Sequence, residues 1–115
     1  MLIISTDKIK VLSRIHEKGI VAVIRAESPE KALKITEAAK AGGIDTIEIT
    51  MTVPGAVDVI KELASNYSSD EMLVGAGSVL DAETARACIL AGAEYPVGSL
   101  PPRGNNSGIF CETKI

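Results

Sequence analysis

A carboxylate stands inside a β-branched run, Thr46, Ile47, Glu48, Ile49 and Thr50. Buried and ionised, such a group must find partners or have its pKa raised. A raised carboxylate suits general acid/base work near neutral pH, and perturbed carboxylates gather at functional sites. Glu48 therefore has two readings: a proton-transfer group, or a structural carboxylate satisfied by Thr46, Thr50 or a backbone amide. Arg25 closes an earlier run, Ile20 to Ile24. A guanidinium at a strand's C-terminal end can clamp a carboxylate, or it can be a solvated loop arginine. Gly75, Ala76, Gly77 and Ser78 end a third run and put a hydroxyl at its rim. They are not a dinucleotide fingerprint, because the third glycine of that spacing falls on Leu80. A tight turn is the expected use of the glycines. His16 reads as a surface residue, Cys88 as helix packing, and Lys8, Lys10, Lys18, Lys31, Lys34, Lys40 and Lys61 as solvated helix positions. Cys88, Cys111 and a single histidine make no metal-ligand spacing, so no metal or other cofactor is expected.

The elements that hold these residues alternate in type. A helix is expected from Thr6-Asp7 to Lys18, with Ile9, Leu12 and Ile15 on one stripe and Gly19 as its stop. Residues 20–24 read as a buried strand. Ser28 and Pro29 open a helix whose apolar face is Ala32, Leu33, Ile35, Ala38 and Ala39, ended by Gly42-Gly43. Residues 46–50 form the second strand, Pro54 opens the next helix, and residues 73–77 form the third strand. Asp81 caps another helix, Gly92 stops it, and residues 94–97 are the fourth strand.

Apolar strands alternating with amphipathic helices imply a parallel sheet covered by helices. The second strand separates a barrel from a doubly wound sheet. Its odd positions, Ile47, Ile49, Met51 and Val53, are apolar; its even positions, Thr46, Glu48, Thr50 and Thr52, are polar. Side chains alternate across a strand. A polar face costs free energy against a helix, whereas a barrel interior with a wet mouth accommodates it. The expected fold is α/β: the N-terminal half of a (β/α)8 TIM barrel, about four parallel strands with helices, preceded by an N-terminal helix. A full barrel takes roughly 200–250 residues; this chain has 115.

Composition excludes other classes. Apolar residues are 46% and charged residues 23%, too apolar for a disordered chain. The net charge is -3 with dispersed lysines and arginines, which argues against nucleic-acid or anionic membrane partners. Aromatics at 3% are too few for a base-stacking platform. No apolar run approaches the ~20 residues of a membrane span. Residues 1–4 run into a polar cap rather than a signal peptide, so the cytosol is the expected location.

Four segments in order resemble one family: residues 21–25 (VAVIR), 41–54 (AGGIDTIEITMTVP), 74–80 (VGAGSVL) and 91–95 (AGAEY). They are similar to the 2-keto-3-deoxy-6-phosphogluconate / 4-hydroxy-2-oxoglutarate aldolases, from about Lys8 to Tyr95. The resemblance implies a (β/α)8 barrel, usually a trimer. It also implies a class I aldolase that cleaves a 2-keto-4-hydroxy acid to pyruvate and an aldehyde through a lysine Schiff base. Glu48 then matches the catalytic glutamate. Many members carry a carboxylate-binding arginine four positions later, where this chain has Thr52; Arg25 is the expected replacement. Ser78 matches a hydroxyl at the keto-acid end, and Thr50 and Thr52 complete the substrate-binding set.

The match breaks after Tyr95. The family's strand continues into Ser-Pro, while this chain reads PVGS over 96–99. The chain divides into a half-barrel, 1–95, and an irregular tail, 96–115. Residues 110–114 (FCETK) again look like the family, which suggests a shifted reading frame over about 96–108; translating the coding DNA in all three frames tests this. The Schiff-base lysine and the glycine-rich phosphate loops belong to later strands, and Lys114 aligns before them. The expectation is a chain inactive alone, which self-associates, pairs with another half or remains partly molten. Competing readings are a different phosphate-binding barrel, such as a thiamin-phosphate or tryptophan-pathway type, a non-catalytic half-barrel that oligomerises or binds a small carboxylate through Arg25, and an inactive α/β fragment.

Overall fold

The computed structural model describes residues 6–98. The expectations for the tail from residue 99, with Cys111 and Lys114, lie outside the described residues.

Helices and strands alternate: α1 (Thr6–Lys18), β1 (Ala22–Ile24), α2 (Pro29–Ala41), β2 (Thr46–Thr50), α3 (Ala56–Asn66), β3 (Leu73–Gly77), α4 (Ala82–Ala91) and β4 (Tyr95–Val97). The caps are those the sequence offers. Ser28 accepts from the Lys31 amide at 3.2 Å ahead of Pro29. Asp81 accepts from the Thr84 amide at 2.6 Å, and that bond holds its carboxyl below the usual range. Each such cap satisfies an amide of the first helical turn that has no intrahelical partner.

The four strands are parallel and lie in chain order, β1-β2-β3-β4. A doubly wound sheet reverses its order at a switch point. No reversal occurs here, so the right-handed crossovers keep α2, α3 and α4 on one side, as in a barrel. Register assigns the faces: Val23, Glu48, Gly75 and Tyr95 are neighbours across the sheet. Ile24, Ile47, Ile49, Val74 and Ala76 alternate with them and pack under Ala32, Val59, Ile60, Leu63, Ala85 and Cys88. Fully burying one such aliphatic side chain contributes roughly 1.5–3 kcal/mol. The inner face holds Thr46, Glu48 and Thr50, as the alternation in β2 predicts.

α1 lies apart from the other helices. Val11 and Ile15 pack on Leu73 and Tyr95, closing the N-terminal end of the inner face. Arg14 and Lys18 approach Asp45 at 3.7 and 3.4 Å, and Arg14 donates to the Asp70 carbonyl at 3.0 Å. His16 is exposed, and Cys88 is buried with its thiol pKa pushed up by desolvation, both as expected. No helix among the described residues is long and apolar enough to cross a membrane.

Some boundaries differ from expectation. β1 begins at Ala22, not residue 20: the paired register opens at Ala22 with Ile47, and Ile20 would oppose Asp45, ahead of β2. Pro54 does not open α3. Val53 and Ala56 amides close turns on Thr50 and Val53 carbonyls, and Gly55 at φ 68° becomes the N-cap. Pro96 does lie within β4 and is buried there. It sits in the end strand of the described sheet, where proline is tolerated, while the Val97 carbonyl accepts from the Val79 amide at 2.9 Å.

Candidate functional site

The C-terminal ends of β1, β2 and β3 gather Arg25, Glu48, Thr50, Thr52 and Ser78 at one mouth of the inner face. This is the end at which α/β barrels build active sites. Two surface clefts lie elsewhere, lined by Lys10, Arg14, Asp70 and Leu73 and by Tyr67, Ser68, Met72 and Gly92. Those belong to the end closed by α1.

Glu48 is half-buried, and desolvation raises its pKa; the nearby Arg25 charge pulls it back less strongly. Neither threonine satisfies it. Thr50 spends its proton on the Ile24 carbonyl at 3.0 Å, and the buried Thr46 hydroxyl has no partner among the described residues. No hydrogen bond among the described residues ties down the Glu48 carboxylate. A carboxylate anchored by partners would have a lowered pKa; this one is loosely held and reluctant to ionise. The structural reading of Glu48 therefore lacks its expected bonds.

What shapes the site is glycine. A Cβ at Gly77 would lie on Glu48 Oε2, and a Cβ at Gly75 would lie in the Tyr95 ring, against Cζ. Both glycines belong to β3 and leave room for side chains crossing from neighbouring strands, so the expected tight turn is corrected. The signal was available: two glycines two residues apart share one face of a strand. What could not be read was which side chains cross them. Tyr95 is the residue sequence reasoning passed over; its hydroxyl donates to the Ile47 carbonyl at 2.8 Å.

The remaining residues divide by exposure. Thr50 is 1% exposed. Its proton is committed, so the 2.8 Å contact with Thr52 is donated by Thr52. The chain of bonds ends on the peptide group that carries Arg25. Arg25, Thr52 and Ser78 are exposed at the mouth. Ser78 holds φ 54°, the left-handed region, where non-glycine residues are uncommon and strain collects at functional sites.

A four-stranded parallel sheet in chain order, with a half-buried carboxylate and a guanidinium at its C-terminal mouth, defines part of an α/β-barrel scaffold. The chain belongs to the KDPG and KHG aldolase family, whose model matches residues 11–101. It is 33% identical over 78 residues to the KHG/KDPG aldolase of Escherichia coli, covering 68% of this chain and 36% of that protein. It is 30% identical over 95 residues to the 2-dehydro-3-deoxy-phosphogluconate aldolase of Pseudoalteromonas atlantica, covering 78% and 43%. The KDPG aldolase of Legionella pneumophila, with pyruvate captured as a covalent carbinolamine, superposes with a TM-score of 0.62 at 29% identity, over 75% of this chain and 40% of that one. The chain thus spans about two fifths of the length of these relatives.

Proposed function

We propose that residues 6–98 form the acid–base and carboxylate-binding part of a class I aldolase site, for a 2-keto-4-hydroxy acid cleaved to pyruvate and an aldehyde. The observation that carries this is Glu48: half-buried, raised in pKa, without a hydrogen bond among the described residues, and lying over Gly77 beside Arg25. Protonated, it delivers a proton to the carbinolamine hydroxyl, which leaves as water; ionised, it accepts the proton of the C4 hydroxyl as the C3–C4 bond breaks. A raised pKa suits a group that must hold the proton in one step and take it up in another. Arg25 holds the keto acid's carboxylate in a charge-assisted pair. Thr52 and Ser78 supply hydroxyl oxygens at the same mouth, and Thr50 acts through the backbone of Arg25 instead of touching substrate. The carbinolamine held by the Legionella pneumophila relative supports the reaction type.

The Schiff-base lysine of the family falls on a later strand, in the part of the relatives this chain does not span. On this reading the 115-residue chain binds a keto acid without turning it over. The test is pyruvate with borohydride, followed by intact mass, alongside amide shift mapping by NMR. No pyruvyl-lysine adduct is expected, with a family control labelling normally. Pyruvate should shift amides of residues 25, 48–52 and 77–78, and Arg25→Ala should abolish those shifts. A stoichiometric adduct would overturn the division of labour; an unperturbed mouth would overturn the site.

A further inference from the structure

We propose that Tyr95 is the positioning residue for Glu48: its ring fills the inner-face slot over Gly75, leaving the carboxylate only the place over Gly77, at the mouth. This rests on reading Glu48 as the proton-transfer group. Glu48, Gly75 and Tyr95 are in register on β2, β3 and β4. With no side chain on Gly75, a strand-borne glutamate could lay its carboxylate straight across that residue, level with its own Cα. The phenol ring already lies there: a Cβ at Gly75 would fall among its Cζ, Cε2 and Cε1 atoms. The hydroxyl carries on across β3 to the Ile47 carbonyl, 2.8 Å away, the carbonyl of the peptide group whose nitrogen belongs to Glu48. Tyr95 thus grips the backbone on which Glu48 is mounted and occupies the nearer of two glycine beds. The second bed is Gly77, and Glu48 Oε2 occupies it. Tyr95 is itself fixed, buried against Val11 and Leu73. α1 therefore supports Tyr95 from below, and Tyr95 lifts the carboxylate one strand layer toward Arg25 and Ser78.

The test follows which glycine amide feels the carboxylate ionise. The 115-residue chain is titrated by NMR, with the Glu48 carboxyl assigned by its loss in Glu48→Gln. Amide shifts present in the native chain and lost in Glu48→Gln report Glu48. In the native chain the Gly77 amide should follow the Glu48 midpoint more strongly than the Gly75 amide. Tyr95→Phe keeps the ring and should keep that order. Tyr95→Ala opens the slot and should transfer the larger shift to Gly75; Tyr95→Leu, which keeps an apolar side chain but cannot span Gly75, should do the same if the alanine variant fails to fold. A purely structural role for Tyr95 would weaken the fold without exchanging the two glycine signals. If Gly77 still follows Glu48 once the ring is gone, the positioning role is overturned while the acid–base reading stands. If instead the native Glu48 midpoint sits at the ordinary carboxylate value, the acid–base reading fails, and the glycine exchange still decides how Tyr95 acts.

Discussion

Glu48 gives the chain a pH signature of unusual sign. Its folded pKa is raised by desolvation, against the pull of Arg25. The folded state therefore binds the proton more tightly than the unfolded one. The stability it contributes is fully present below the unfolded value and is lost as pH rises through the folded one. Glu71 and Asp81, both lowered, act in the opposite direction, so the whole-protein profile mixes them. The difference between the native chain and Glu48→Gln isolates the one group. Thermal melts from pH 4 to pH 8 should show the glutamine variant gaining on the native chain as pH rises. A gap that is constant across that range would mean that Glu48 titrates normally. How far the sequence disclosed this site can be judged from the same residues. Glu48 and Arg25 were legible because a charge at the end of, or inside, a β-branched run has few places to go. Gly75, Gly77 and Tyr95 were misread or missed because their importance lies in cross-strand contacts. Gly77 is indispensable only once Glu48 is known to lie on it, and that depends on a register set by two strands together.

Among the elements, the sheet has one face under α2, α3 and α4 and another that α1 covers only at its N-terminal end. Ile47 is fully buried beneath them, whereas Val23, on the opposite face, is 49% exposed. Ile47→Ala should cost about 2–5 kcal/mol, and Val23→Ala about 0.5 kcal/mol or less. Urea denaturation of the two variants compares them directly; a loss at Val23 equal to or larger than that at Ile47 would overturn the assignment of the faces. This assignment was written in β2 itself, where Ile alternates with Thr and Glu, and helix starts were written in Ser28 and Asp81, whose side chains accept the bonds their types suit. The start of α3 was less legible. Pro54 is a good first helical residue by type, but the left-handed Gly55 behind it absorbs the turn and delays the helix to Ala56. β1 was overextended because β-propensity at Ile20 cannot supply a partner strand alongside it.

On the scale of the whole molecule, β1 and β4 are the outer strands of the described sheet, each with one unpaired side. Val23 and Val97 are 49% and 42% exposed on the face that carries Glu48. Open parallel edges beside exposed aliphatics are sites of association. Purified as 115 residues, the chain should show concentration-dependent species heavier than a monomer in analytical ultracentrifugation. A single monomeric species across the accessible concentrations, with a cooperative melt, would contradict this. The order of the strands has a further consequence, for the way the chain reaches this structure. Every paired strand lies near its partner in sequence: Ala22 meets Ile47, Thr46 meets Leu73, and Gly75 meets Tyr95. Each pairing among the described strands spans a single βα unit, so loop closure brings in one unit at a time. Such a chain can assemble in the direction of its synthesis, each strand docking on the one made just before it.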